Sequence, residues 1–325
     1  MLRTLRLSFV QIPFDAIALS KLHCLSIGGH VFDSSVTYAD IMNVLQRCVE
    51  LKELRLHRML SQPIRQFPLP VISLNLPRLR KLVIWDLPSF TSPFLSGIHL
   101  SPEVTLRVCH QLPPSFSIAR IPRGFASFLP ADFSDLPILR SVTTGSIDCW
   151  QEHDVVLKGT FRDATITLKM IETTSDNVSF YLHDALQQFH FVFAGAPIKK
   201  LELSGDLDSV PSIDDYRSFL DGFPTLQTIA VRGPGSPLVF LLALLRESPD
   251  FPPNTLSERA DTGSDRQSSE PFVCPELRSL TIEYVECQQV VIEVLVTILR
   301  RRIDRGLPKL EELVLALPIS KSCNR

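Results

Sequence analysis

Large apolar residues recur along this chain in one spacing, L-x-x-L-x-L with Ile or Val allowed, and eight stretches fit it. In the N-terminal third they are Leu2-Leu5-Leu7, Leu22-Leu25-Ile27, Leu51-Leu54-Leu56 and Leu79-Leu82-Ile84. In the C-terminal part they are Ile198-Leu201-Leu203, Leu226-Ile229-Val231, Leu277-Leu280-Ile282 and Leu310-Leu313-Leu315. Their starts are separated by 20, 29, 28, 119, 28, 51 and 33 residues. In L-x-L the two apolar side chains share one side of a strand, and the leading residue fills the turn before it. Between motifs the period changes to that of a helix: Ile41-Val44-Leu45-Cys48, Tyr216-Phe219-Leu220, Leu238-Leu241-Leu242-Leu245, and a longest helix from about Gln288 to Arg305. Thr37, Ser212 and Ser236-Pro237 supply helix starts, and Gly306 followed by Pro308 supplies a stop. Each unit is therefore a strand, a turn and a helix. Its apolar row is buried only against its neighbours' rows, so the units stack.

This pattern predicts an α/β fold in which a parallel sheet lines the concave side of a solenoid and helices cover the convex side, as one domain over residues 1–325. Strands at Leu5–Leu7, Leu25–Ile27, Leu54–Leu56 and Leu82–Ile84 should lie side by side, parallel and in chain order. The 119-residue interval has room for four units of about 30, so residues 101–196 read as degenerate repeats or as an inserted subdomain. Within it Val104–Val108, Val155–Leu157 and Ala164–Met170 read as strands and Phe180–Phe191 as a helix. Residues 249–271 are polar, flanked by proline and aperiodic, which reads as a disordered loop inserted in one repeat.

The segments Cys48–Met59 (CVELKELRLHRM), Leu74–Ser89 (LNLPRLRKLVIWDLPS) and Cys274–Val285 (CPELRSLTIEYV) resemble leucine-rich repeats. More narrowly, they resemble the irregular repeats of fungal, mushroom-type F-box proteins, where a phrase like Pro93–Ile98 follows a repeat. The resemblance implies an irregular leucine-rich-repeat horseshoe that recognises protein surfaces, the substrate-recognition part of a ubiquitin ligase receptor. The asparagine usual three residues past the last motif leucine is replaced by Val10, His30, Met59, Leu87, Asp206, Pro234, Val285 and Pro318, so each turn must be satisfied individually. Members of the family carry an N-terminal helical F-box, and none is recognisable ahead of Leu2. An adaptor of the ligase is expected as a partner only through a box encoded outside these residues.

Composition sharpens this picture. Leucine reaches 48 of 325 residues, and proline (25) outnumbers glycine (13), which suits a chain of short elements rather than a flexible one. A formal net charge of −2 gives no whole-chain pull toward nucleic acid or an anionic membrane. Seven scattered cysteines without a C-x-x-C pair point to free thiols and a cytoplasmic or nuclear location. No apolar run approaches the ~20 residues of a spanning helix.

The chain has none of the motifs of a nucleophile elbow, a phosphate loop, a dinucleotide fold or a zinc protease. His183 and His190 lie two helical turns apart, too far to share a metal unaided. Arg300-Arg301-Arg302 reads as the cationic end of the long helix. No catalytic residue, cofactor or metal is expected. The expected function is non-catalytic binding of a protein partner on the concave sheet, without nucleic acid or membrane, and Arg6, Arg55, His57 and Trp85 are the candidate binding residues. Two alternatives stand beside it: a stand-alone repeat regulator or inhibitor, and an enzyme whose site lies in the middle region.

Overall fold

The computed structural model describes residues 2–8, 19–29, 38–59, 72–112, 124–151, 154–172, 181–245, 273–283 and 289–316. The segment 249–271 and the helix start at Thr37 lie outside them. In chain order the elements are β1 (Thr4–Ser8), β2 (Cys24–Gly28), α1 (Tyr38–Gln46), β3 (Glu53–His57), β4 (Leu74–Asn75), β5 (Lys81–Trp85), α2 (Pro88–Gly97), β6 (Ile98–His99) and β7 (Thr105–Leu112). They continue with α3 (Pro137–Ser141), β8 (Thr144–Gln151), β9 (Asp154–Phe161), β10 (Ala164–Glu172), α4 (Leu182–Val192), β11 (Lys200–Ser204) and α5 (Ile213–Asp221). The last are β12 (Thr228–Arg232), α6 (Leu238–Leu245), β13 (Ser279–Glu283), α7 (Gln289–Asp304) and β14 (Glu312–Ala316).

Among the described residues twelve strands form one mostly parallel sheet in the order β1-β2-β3-β5-β7-β10-β9-β8-β11-β12-β13-β14. The eight motif strands pair in register, Leu5–Leu25–Leu54–Leu82 on one side of the middle region and Leu201–Ile229–Leu280–Leu313 on the other. One backbone bond repeats beneath the motif. The N–H groups of Lys52 and Glu53 both donate to His23 O, those of Arg80 and Lys81 to Lys52 O, and those of Gln227 and Thr228 to Lys199 O. Each strand is thus anchored to its neighbour one residue ahead of the ladder, which holds the leucines level.

The leucine-bearing side of the sheet and the buried faces of the helices form one apolar core. Leu54, Leu56, Leu82 and Ile84 are fully buried beside Ile41, Leu45, Phe90 and Phe94. Full burial of such a side chain stabilises by about 1.5–3 kcal/mol relative to exposure. Helix starts follow the sequence: Ser212 Oγ accepts from the N–H of Asp214 at 3.1 Å and Ser236 Oγ from that of Leu238 at 3.3 Å. With no asparagine ladder, carboxylates at scattered places satisfy the turns. Buried Asp86 accepts from the N–H groups of Met59 and Leu87, and Asp208 from that of Ser236.

The middle region departs from the expectation of successive parallel units. Strands β8, β9 and β10 are an antiparallel meander set into the sheet in reverse order, with β10 parallel to β7 and β8 parallel to β11. The sheet runs through it unbroken. The inner leucine row continues as Leu106, Ile166, Gly159, Gly145 and Leu201. A Cβ on Gly145 would lie 2.4 Å from Phe189 Cζ, and one on Gly159 would lie 2.8 Å from Phe193 Cε1. Here the row is filled from α4 by phenylalanine rather than from the sheet by leucine.

Candidate protein-binding face

On the other side of the sheet the side chains between the leucines form polar rows. Register sets Arg6, Ser26, Arg55, Val83 and Arg107 in one row and Ser8, Gly28, His57, Trp85 and Cys109 in the next. Three of the four residues singled out from sequence therefore come together, because Arg55 and His57 lie on β3 and Trp85 on adjacent β5. Arg6 belongs to the same row as Arg55 but stands on the edge strand, with Ser26 between them.

Glu53 organises this patch. Its Oε1 accepts from Arg55 Nε at 2.8 Å and lies 3.2 Å from Lys81 Nζ, and its Oε2 accepts from the Cys24 thiol at 3.6 Å. Burial alone would raise the Glu53 carboxyl, but the bonds and charges of Arg55 and Lys81 bring it below the usual carboxylate range. His57 and Trp85 face each other with ring centroids 6.5 Å apart at 45°. Burial, reinforced by the Arg55 charge, lowers the His57 pKa, so the imidazole is neutral at neutral pH. Gly28 lets the strands close up here: a Cβ would lie 2.9 Å from the His57 carbonyl oxygen. Trp85 Nε1 is buried and has no hydrogen-bond partner among the described residues.

Arg107 completes the patch, and sequence reasoning missed it. It sits opposite Val83 with its Nε 3.4 Å from Cys109 Sγ. The signal was present in the alternation Val104-Leu106-Val108, which puts Arg107 on the polar side, but no third motif apolar precedes it at the usual spacing.

On β11 to β13 the same rows are charge-matched. Lys200 pairs with Glu202 at 2.8 Å, and Arg232 lies between Glu283 at 2.7 Å and Glu202 at 4.0 Å. The hydrogen bond from Lys200, with the charges of Lys200, Arg232 and Lys158, outweighs burial and lowers the Glu202 carboxyl. The meander between the two halves carries a half-open cleft of about 270 Å³ lined by Asp148, Trp150, Asp154, Val156 and Lys169. Lys169 closes one side of it through a 2.5 Å ion pair with Asp154.

The helix side holds the remaining candidates. His183 and His190 line one small groove between α4 and α5, where His183 Nδ1 lies 3.4 Å from Asp215 Oδ2. Among the described residues no three histidine, cysteine or acidic side chains gather as a metal site would need. The run Arg300-Arg301-Arg302 is not one solvated cationic end. Arg302 is buried and donates to the carbonyl oxygens of Cys274, Pro275, Leu277 and Pro308, tying the turn ahead of β13 to the exit of α7. Cys24, Cys48, Cys109, Cys149 and Cys274 are free thiols, and burial pushes Cys48 up to about 11 and Cys149 and Cys274 to about 12. Such thiols are poor nucleophiles. No helix among the described residues is long and apolar enough to cross a membrane. Comparison of the chain with protein-family models, with curated proteins and with solved structures finds no match.

Proposed function

We propose that this chain is a non-catalytic protein-interaction scaffold, an irregular leucine-rich-repeat solenoid that holds an acidic segment of a protein partner against the polar face of β1 to β7. The observation that carries this reading is a charge imbalance. Arg6, Arg55, Lys81 and Arg107 face outward there with Glu53 as the carboxylate among them, whereas the charges of β11 to β13 neutralise one another. The indole of Trp85 lies within the same patch, and arginine and tryptophan are the residue types that anchor interfaces. Excess positive charge steers acidic partners to a surface and discriminates against basic ones. The solenoid part of the proposal is supported by the level leucine rows and by the helices packed on their side of the sheet.

A nucleic-acid partner is disfavoured because no succession of aromatic side chains accompanies the cations and the chain's formal charge is −2. The narrower role of substrate recognition within an F-box-type ubiquitin ligase receptor is compatible with such a face and rests on the repeat resemblance alone.

Fluorescence anisotropy with labelled peptides tests the proposal. A peptide alternating glutamate and serine should bind, weaken as salt is raised, and lose about tenfold in affinity with Arg107→Glu or Trp85→Ala, a factor equivalent to about 1.4 kcal/mol. Equal binding of the lysine–serine counterpart, or tighter binding of a single-stranded oligonucleotide of matched charge, overturns it.

A further inference from the structure

The inner rows of the sheet end abruptly at β14. Leu280 and Ile282 on β13 are 1% and 0% exposed, whereas their register partners Leu313 and Leu315 are 38% and 37% exposed. The helix beside them repeats the pattern. Val291, Leu295, Ile298 and Arg302 of α7 are buried toward the rest of the molecule. Ile292, Val296 and Ile303 are exposed at 37%, 40% and 61%, and with Leu299 they form a second apolar stripe at i, i+4, i+7 and i+11. Strand and helix together thus present a full stacking face that no described residue covers, along with an edge-strand backbone that pairs with no other described strand.

We propose that this face joins a second copy of the same chain about a two-fold axis, β14 pairing antiparallel with β14 and α7 with α7. The face is self-complementary in that arrangement and only in that sense closes on itself. An antiparallel pairing centred on Val314 sets Leu313 of each strand opposite Leu315 of the other and Glu312 opposite Ala316, so no like charges meet. The two helices then run in opposite directions on the same side of the sheet. Ile292 meets Ile303 of the second copy, and Val296 meets Leu299. Charge agrees with this polarity. On the flank of the stripe, Glu293 lies in the first half of α7 and exposed Arg300 in the second, so each Glu293 stands beside the other copy's Arg300 region. Stacking α7 on α7 in parallel would set arginine against arginine instead. The proposal concerns the end of the sheet and does not depend on the acidic-partner reading of β1 to β7.

Sedimentation velocity over a dilution series of the full chain tests it. The wild-type chain should be a concentration-dependent dimer. Val296→Glu and Ile303→Glu, both at exposed positions, should give monomers with unchanged far-UV circular dichroism. Glu293→Arg should weaken the dimer by about tenfold, and Glu293→Arg combined with Arg300→Glu should restore it; rescue by charge reversal cannot come from altered folding. A chain that is monomeric at every concentration overturns the proposal, as does a dimer indifferent to Val296 and Ile303. An open series of larger species would mean head-to-tail addition of β14 to β1 and overturns the two-fold arrangement.

Discussion

The motif strands and the meander solve one packing problem in opposite ways. In β3, β5 and β11 the sheet supplies the bulk, through Leu54, Leu82 and Leu201, which share one core with the buried faces of the helices. In the meander the sheet gives way at Gly145 and Gly159, and α4 with its C-terminal cap supplies the bulk through Phe189 and Phe193. These rings meet tilted at 44° with centroids 4.6 Å apart, and the cluster extends to Phe219 and Phe223 of the next unit. A leucine row needs identical neighbours on both sides. A pair of glycines under a phenylalanine cluster tolerates a change of strand direction, because the filling atoms come from outside the sheet.

Removing the filler of each region is the strongest way to break that comparison. Phe189→Ala should cost about 3–5 kcal/mol, since three aromatic rings lose their common partner and Gly145 below has no side chain to fill the space. Leu54→Ala should cost about 2–5 kcal/mol in a denaturant melt, and outward-facing Glu53→Ala under about 1 kcal/mol because its ion pairs are partly solvated. Similar losses from both would mean that the polar face carries stability as well. Gly159→Ala tests the glycine side directly. Its Cβ would lie 2.6 Å from Val142 Cγ2, so a loss of about 1–3 kcal/mol is expected where an alanine in a strand would ordinarily help.

The smallest expected effect is in pH and belongs to β7, where the motif strands give way to the meander. Buried His110, whose Nδ1 lies 3.2 Å from the Asp86 carbonyl oxygen, has its pKa lowered by desolvation, which exceeds the opposing effect of that bond. The unfolded chain then binds the proton more readily than the folded one, so stability is intact above the ordinary histidine value of about 6.5 and declines as pH falls below it. His110→Gln should flatten that acid limb in thermal melts at a series of pH values, and an unchanged limb would move the effect to His57, which is shifted the same way.

How far this architecture was legible from sequence depended on where the bulk sits. Where three large apolar residues mark a strand, the sheet supplies the bulk, and all eight such strands lie where the spacing puts them. At β8 the same spacing exists as Val142-x-x-Gly145-x-Ile147, but a glycine stands for the middle leucine and a search for apolar residues passes over it. A second signal was also available. Only Arg162 and Asp163 separate β9 from β10, and Arg162 has φ 53°. A parallel connection needs a dozen or more residues, so two strands that close must form a hairpin. On the polar face, alternation alone placed Arg55, His57 and Trp85 together. It could not rank them, because the charge balance of a patch depends on register across several strands, and Arg107 enters only through the pairing of β5 with β7.

The meander has three strands, and that parity decides what the rest of the chain can be. An up-down-up excursion returns the backbone to the direction in which it left β7. The chain therefore enters β11 with the same polarity and the same leucine side as the units before the excursion. After an excursion of two strands, a crossover connection would deliver β11 reversed, with its connections at the wrong ends of the sheet. Read as a problem of modular construction, an odd-stranded insert is a neutral spacer between two runs of identical units. It lengthens the sheet without telling either run that the other has been moved.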